Sequence, residues 1–94
     1  MATFGESTPF MLLARIQVKA GCVNEYLDLA RATDAAVQAS EPGMLHHTFD
    51  QDPEDPQAFV WSEVYANDAA FSAHVSNPAA VSYTHLTLPT IVSV

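Results

Sequence analysis

The sequence predicts an α+β fold, because two kinds of hydrophobic periodicity alternate along its 94 residues. Three segments repeat apolar residues at every second position, as strands do, and two segments repeat them at helical spacing. Their order along the chain is strand, helix, strand, strand, helix. One more strand completes a ferredoxin-like βαββαβ unit, and the length favours a single domain.

The first predicted strand covers residues 10–18, after a loose polar lead-in at residues 1–9. Its apolar face consists of Phe10, Leu12, Ala14, Ile16 and Val18. The opposite face is mixed, but it still carries Met11 and Leu13. Because apolar residues occur on both faces, we expect the second face to be covered as well, by a partner subunit.

The first helix is predicted after the turn at residues 19–21, with Asn24 as its N-cap. Its apolar stripe consists of Tyr26, Leu27, Ala30, Thr33, Ala36 and Val37. The helix should end near Ser40, because Pro42 disfavours helical geometry at Glu41.

Two further strands are predicted over residues 44–51 and 58–65. In the earlier strand, one face holds Leu45, His47 and Phe49. In the later strand, one face holds Phe59, Trp61, Glu63 and Tyr65. The connector at residues 52–56 is short, acidic and rich in proline, so the two strands should form an antiparallel hairpin.

The second helix is predicted to begin after Asn67, a favourable N-cap. Its stripe consists of Ala70, Phe71, His74 and Val75. The domain is assigned to residues 10–83, and residues 84–94 form an atypical tail without acidic residues in which Pro89 interrupts a β-prone run. Two interpretations of the tail remain open: an edge strand that completes the sheet beside the first strand, or foreign sequence resembling translated adapter.

Charge and composition exclude several classes of partner. The formal net charge is −8, from three basic residues against eleven acidic ones, so neither nucleic acid nor an anionic membrane surface is an expected partner. No apolar run is long enough to span a membrane, and no secretory signal is visible at the start. A single cysteine, Cys22, suits a reducing compartment, so a cytoplasmic location is expected.

The apolar content predicts self-association. Hydrophobic residues make up 49% of the chain, which is more than one thin core of this size can bury. A subunit interface buries the excess, and closed dimers are the commonest assemblies. We therefore expect a homodimer.

Several short motifs between Glu41 and Pro78 occur in the order and spacing of a known family. The run from Glu41 to Leu45 resembles the motif that opens the second strand of the antibiotic-biosynthesis-monooxygenase family. The other matching positions are the 52–56 connector, Phe59-Val60, Glu63, Tyr65, Ala69, Ala70, His74 and Asn77-Pro78. The resemblance implies a dimeric α/β barrel in which each subunit keeps a pocket between its helices and its sheet.

The resemblance also implies a function, which is the oxidation of a small quinol or phenolic aromatic by molecular oxygen without metal or flavin. His74 is then the predicted base, because the pKa of histidine lies close to neutral. The alternative for His74 is a half-buried histidine bonded to a backbone carbonyl. Tyr65 is the second predicted catalytic residue, because a strand end can open onto a pocket. The predicted substrate-binding residues are Trp61, Phe59 and Phe71, with core or interface packing as the alternative.

The other notable polar residues are expected to have structural roles rather than catalytic or metal-binding ones. Glu63 lies among aromatic residues and is expected to pair with Arg15 rather than act as a base. His46 and His47 point to opposite faces of their strand, so no metal site is predicted from them, and no cofactor is expected. A second function stays open, which is a non-catalytic dimeric binding or stress-associated module for an apolar ligand.

Overall fold

The computed structural model describes residues 8–78 and 87, together with the backbone of residues 91–93. Its elements in chain order are β1 (Phe10–Gln17), α1 (Val23–Ser40), β2 (Met44–Gln51), β3 (Ala58–Tyr65), α2 (Asp68–Val75) and β4 (Ile91–Ser93). The strands form one antiparallel sheet in the order β2-β3-β1-β4. The predicted α+β, ferredoxin-like fold is confirmed. The lead-in and most of the tail lie outside the described residues.

Strand β3 organises the interior, because it lies between β1 and β2 and alternates strictly in burial. The predicted inner face of β3 is confirmed, and its residues are buried: Phe59, Trp61, Glu63 and Tyr65. The apolar core gathers around the first half of this strand, where Tyr26 and Ala30 of α1 pack with Ile16, Val18 and the two β3 aromatics. Burying such side chains is the main favourable contribution to folding.

The start of α1 differs from the prediction. Asn24 was expected to cap the helix, but the cap position is taken by Cys22, and no side chain there bonds a backbone N–H. Gly21 explains the earlier start. Its φ of +82° lies in the left-handed region that glycine enters without a steric penalty, and it turns the chain directly into the helix.

Strand β2 contains a bulge that the sequence pattern did not predict. Met44 pairs with Tyr65, and the next paired residue on β2 is His46, opposite Val64. One extra residue therefore enters β2, and the alternation of side chains slips at that point. The prediction that Leu45 shares the inner face with His47 and Phe49 is wrong, because Leu45 is 57% exposed whereas His47 is buried.

Helix α2 lies close to the beginning of β2. The predicted cap is confirmed, since the Asn67 side chain accepts a hydrogen bond from the Ala70 backbone N–H at 2.9 Å. A Cβ at Gly43 would lie only 2.6 Å from the Ala70 Cβ. Only glycine permits this approach, which holds α2 against the turn between α1 and β2.

The far edge of β1 is paired with the end of the tail. Residues 91–93 pair antiparallel with residues 13–15 of β1, and Val18 forms an isolated bridge with Thr87. This is the slot that the edge-strand interpretation predicted. That interpretation also turns Leu86 and Leu88 towards the helices, but these two residues lie outside the described part of the chain. Among the described residues, no helix is long and apolar enough to cross a membrane.

Candidate functional site

Glu63 is the centre of a polar cluster on the inner face of the sheet. It follows Phe59 and Trp61 on the same face of β3, but its neighbours are two histidines. His47 lies directly opposite on β2, and His74 reaches in from α2. The Nε2 atoms of His47 and His74 lie 3.4 Å and 3.6 Å from Glu63 Oε2.

A second ring of polar groups holds the outer nitrogen of each imidazole. His47 Nδ1 lies 2.7 Å from Asp34 Oδ1 on α1, and His74 Nδ1 lies 3.1 Å from both carboxylate oxygens of Glu41. Because an ionised carboxylate only accepts hydrogen bonds, both Nδ1 atoms act as donors. The two Nε2 atoms are consequently the ones directed at Glu63.

Two of these carboxylates accept further hydrogen bonds. The Tyr65 hydroxyl donates to Glu63 Oε1 at 2.7 Å, and the Asn77 amide donates to Glu41 Oε2 at 2.8 Å. Among the described residues, no buried side-chain nitrogen or oxygen lacks a hydrogen-bond partner. The cluster is therefore a satisfied network, the condition under which buried polar groups are tolerated.

Burial and neighbouring charges shift the pKa values of His47 and Glu63 in opposite directions. Burial lowers the pKa of His47, but hydrogen bonds and charges from Glu63 and Asp34 outweigh it, so the pKa lies above the ordinary value. Burial likewise raises the pKa of Glu63, but hydrogen bonds from His47 and Tyr65 and the nearby histidine charges bring it below the ordinary value. The structure thus favours a charged His47–Glu63 pair.

The predicted base, His74, lies at the edge of this cluster. Its side chain is 13% exposed, so it is half-buried as the alternative interpretation required. Its Nδ1 partner is the Glu41 carboxylate rather than the expected backbone carbonyl. The expected pairing of Glu63 with Arg15 is wrong, because Arg15 pairs with Val60 on the opposite face of the sheet.

The aromatic residues predicted for the site divide into two groups. Tyr65 is fully buried, and its ring lies 5.6 Å from His74 and 5.2 Å from Phe71, edge to face with the latter. Trp61 and Phe59 belong to the apolar core, where the Trp61 indole N–H donates to the Tyr26 hydroxyl at 2.8 Å. Both groups border the histidines, because Trp61 also packs on His47 with ring centroids 4.6 Å apart.

Of two surface depressions on the described part of the chain, one reaches the cluster and the other does not. A depression of about 360 Å³ is lined by His47, His46, Leu45, Met44 and Gln38, so it reaches the polar cluster through His47. A larger groove of about 480 Å³ lies at the hairpin end of the sheet. Its lining includes Arg15, Asp50, Pro53, Phe59 and Val60. Of the predicted site residues, only Phe59 lines the larger groove.

Sequence analysis missed three members of the cluster: His47, Glu41 and Asp34. His47 was placed on the correct face, but it was considered only together with its neighbour His46 as a metal ligand. Glu41 had a usable signal, because it opens the Glu41–Leu45 motif and precedes a proline that fixes its extended backbone. Asp34 lies on a partly exposed face of α1, and nothing in the sequence pattern links it to His47.

Comparison with models of protein families identifies one family. The family model described as antibiotic biosynthesis monooxygenase matches residues 9–84. An uncharacterised protein of Synechocystis is 30% identical over 74 residues, which are 79% of this chain and 50% of that protein. The chain thus spans half the length of this relative.

Solved structures show the same fold. A protein of Pseudomonas aeruginosa superposes with a TM-score of 0.83 at 25% identity, covering 93% of this chain and 91% of that chain. The crystal structure of an antibiotic biosynthesis monooxygenase superposes with a TM-score of 0.80 at 20% identity, covering 88% of this chain and 92% of that chain. The latter similarity supports the fold alone.

Proposed function

This chain belongs to the antibiotic biosynthesis monooxygenase family, and from that premise we propose that it is a monooxygenase that oxidises a small quinol or phenolic aromatic with molecular oxygen. The enzyme needs no bound cofactor for this reaction. We propose a cytoplasmic location, which the single cysteine supports because disulfides are rare there.

One observation carries the proposal, which is the arrangement of carboxylates around His74. Glu41 accepts the Nδ1–H, so the Nε2 of the neutral ring carries the lone pair. The separation of 3.6 Å between this Nε2 and Glu63 Oε2 is longer than a hydrogen bond. His74 can therefore accept a phenolic proton, and the negative charge of Glu63 stabilises the imidazolium that forms.

The chemistry balances without another reductant. A hydroquinone and one molecule of oxygen give a hydroxyquinone and one molecule of water. The substrate anion supplies the electrons, one oxygen atom forms a new bond to a ring carbon, and the other leaves as water. The protein has to desolvate the ring, remove the phenolic proton and hold the resulting anion beside oxygen.

The aromatic residues near His74 supply the proposed ring contacts. Phe71 packs edge to face on Tyr65 and offers its remaining surface to a planar substrate. Tyr65 is too deeply buried to touch the substrate in this arrangement, so we assign it to holding Glu63 in place through its hydroxyl. Trp61 packs on His47, whereas Phe59 belongs to the apolar core and is not assigned to the site.

We propose that the active form is a homodimer joined through the outer face of the sheet. Met11 is 54% exposed on that face, and Leu13, Ser62 and Val64 share it according to the strand register. Sedimentation at micromolar concentration should give twice the monomer mass, and Met11→Glu should shift the protein towards monomer. A well-folded wild-type monomer would remove this part of the proposal.

Oxygen uptake with a panel of hydroquinones tests the function. Wild-type protein should consume oxygen faster than the buffer background, and His74→Ala should lower that rate by about a hundredfold, the usual contribution of a positioned base. His46→Ala is the matched control, because His46 is an exposed histidine near the same cluster, and its rate should equal that of wild type. Binding of the quinols without oxygen uptake would instead identify a binding module.

A further inference from the structure

Three potential metal ligands converge at one point of the polar cluster. Among the described residues, His47, Glu63 and His74 each offer one ligand atom, and these atoms all lie within 4.8 Å of one another. They come from three different elements, β2, β3 and α2. Two imidazoles and one carboxylate form a donor set that binds Fe²⁺ or Zn²⁺ and leaves coordination positions open.

The distances suit one small ion. Two ligands that each lie about 2.1 Å from an ion at a tetrahedral angle are about 3.4 Å apart. The two separations from Glu63 Oε2, 3.4 Å to His47 and 3.6 Å to His74, are close to this value. Small side-chain shifts therefore bring all three ligand atoms onto one ion.

The carboxylates around the cluster orient both histidines as metal ligands are oriented. A histidine that binds a metal commonly donates its other ring N–H to a carboxylate, which fixes the ring and makes it a stronger ligand. Asp34 holds His47 in this way and Glu41 holds His74. Two histidines that are each held by a carboxylate in this way favour a shared role as metal ligands.

We propose that His47 Nε2, Glu63 Oε2 and His74 Nε2 form a site for one divalent first-row transition-metal ion, with water completing its coordination. The two imidazoles favour Zn²⁺, Co²⁺, Ni²⁺ or Fe²⁺ over the harder ions Mg²⁺ and Ca²⁺. The depression lined by His46 and His47 gives an entry path from solvent.

Metal and protons occupy the same place in this cluster. A histidine nitrogen that binds an ion cannot also hold a proton, so metal binding releases any proton that these Nε2 atoms carry. The ion also takes the lone pair of His74 Nε2. The ion is therefore expected to inhibit oxygen uptake, and that expectation rests on the proposed function. Metal binding itself does not depend on whether the protein is a monooxygenase.

Calorimetry on tag-free, chelator-treated protein tests the site. Zn²⁺ should bind at one ion per chain with micromolar or tighter affinity, Mg²⁺ should not bind at the same concentrations, and the heat in buffers of different ionisation enthalpy should report proton release. Co²⁺ should give a visible absorption band typical of a site with protein ligands. An absence of stoichiometric Zn²⁺ binding would overturn the proposal.

Variants separate this site from surface histidines. Glu63→Gln and His74→Asn should weaken Zn²⁺ binding by at least a hundredfold. Asp34→Asn, at a partly exposed position, should weaken it by about ten- to a hundredfold with the fold intact. His46→Gln is the control and should bind as wild type does. Equal loss in His46→Gln, or unchanged binding in all the other three, would place the metal elsewhere and overturn the site.

Oxygen uptake with and without bound Zn²⁺ distinguishes this inference from the proposed function. Binding together with inhibition supports both. Binding without any oxygen uptake in the metal-free protein supports the site and overturns the monooxygenase. Oxygen uptake without metal binding supports the monooxygenase and overturns the metal site. Stimulation of oxygen uptake by the ion supports the metal site and shows that His74 is not the base.

Discussion

The two halves of the inner sheet face are built from different kinds of side chain. Strand β3 presents Phe59 and Trp61 to Tyr26 of α1 in one half. In the other half it presents Glu63 and Tyr65 to His47 and His74. The inner residues of β3 are buried in both halves. The halves differ mainly in their side chains, and the bulge of β2 lies in the polar half.

This difference separates stability from function. The apolar half removes large aromatic surfaces from water, which stabilises the fold. The polar half buries charged groups, whose desolvation offsets much of their mutual attraction, and such clusters can often be replaced by apolar residues without loss of stability. Stability alone does not account for the polar half, and we infer that it serves proton and metal chemistry.

The largest expected effect lies in the apolar half. Phe59 is 1% exposed and contacts Tyr26 at a ring distance of 4.9 Å. Phe59→Ala should lower the free energy of unfolding by about 3–5 kcal/mol, because it leaves a cavity in a packed core. Urea unfolding measures this loss. The control, Val75→Ala at a position 53% exposed, should change stability by less than about 0.5 kcal/mol, and an equal loss in both would mean that the core is misassigned.

A smaller and pH-dependent effect is expected in the polar half of the metal-free protein. The raised pKa of His47 contributes stability that is fully present below about pH 6.5 and is lost as the pH rises through the raised value. The lowered pKa of Glu63 contributes stability that is present above about pH 4.5 and is lost as the pH falls through the lowered value. Stability from this pair should therefore be greatest between these limits.

Urea unfolding across this pH range, in the presence of a chelator, checks the expectation. The groups facing His47 are Asp34 from α1, Glu63 from β3 and His74 from α2. His47→Gln should flatten the decline in stability above pH 6.5, whereas His46→Gln should preserve it. A constant difference in unfolding free energy between wild type and His47→Gln at every pH would contradict the assignment.

Much of the fold could be predicted from periodicity, and the reasons are local. The alternation in β3 gave the correct buried residues, and Asn67 gave the correct cap for α2. The bulge at Leu45 could not be predicted, because an inserted residue leaves the apolar pattern plausible in either register. The early start of α1 depends on the conformation of Gly21, which composition alone does not determine.

Only part of the candidate site could be predicted, because its contacts join elements that are distant in the sequence. His74 and Tyr65 were found through motifs, but their partners depend on three elements meeting in space. Asp34 reaches His47 across 13 residues of sequence, and Glu41 reaches His74 across 33. No periodicity records such contacts. Whether residues 84–94 are a native edge strand or foreign sequence remains a prediction. Residues 91–93 pair with the edge of β1, and either kind of sequence could do so.

The central claim is that the polar half of this sheet face is the reactive site, and oxygen uptake by two variants of β3 tests it most directly. Glu63→Gln keeps the size of the side chain but removes the charge beside His74, and it should lower the rate by at least about tenfold. Phe59→Leu, on the same face of the same strand, should keep the rate of the folded protein within about twofold although it loses some core packing. A Glu63→Gln rate close to that of wild type, or an equal fall in both variants, would contradict the account.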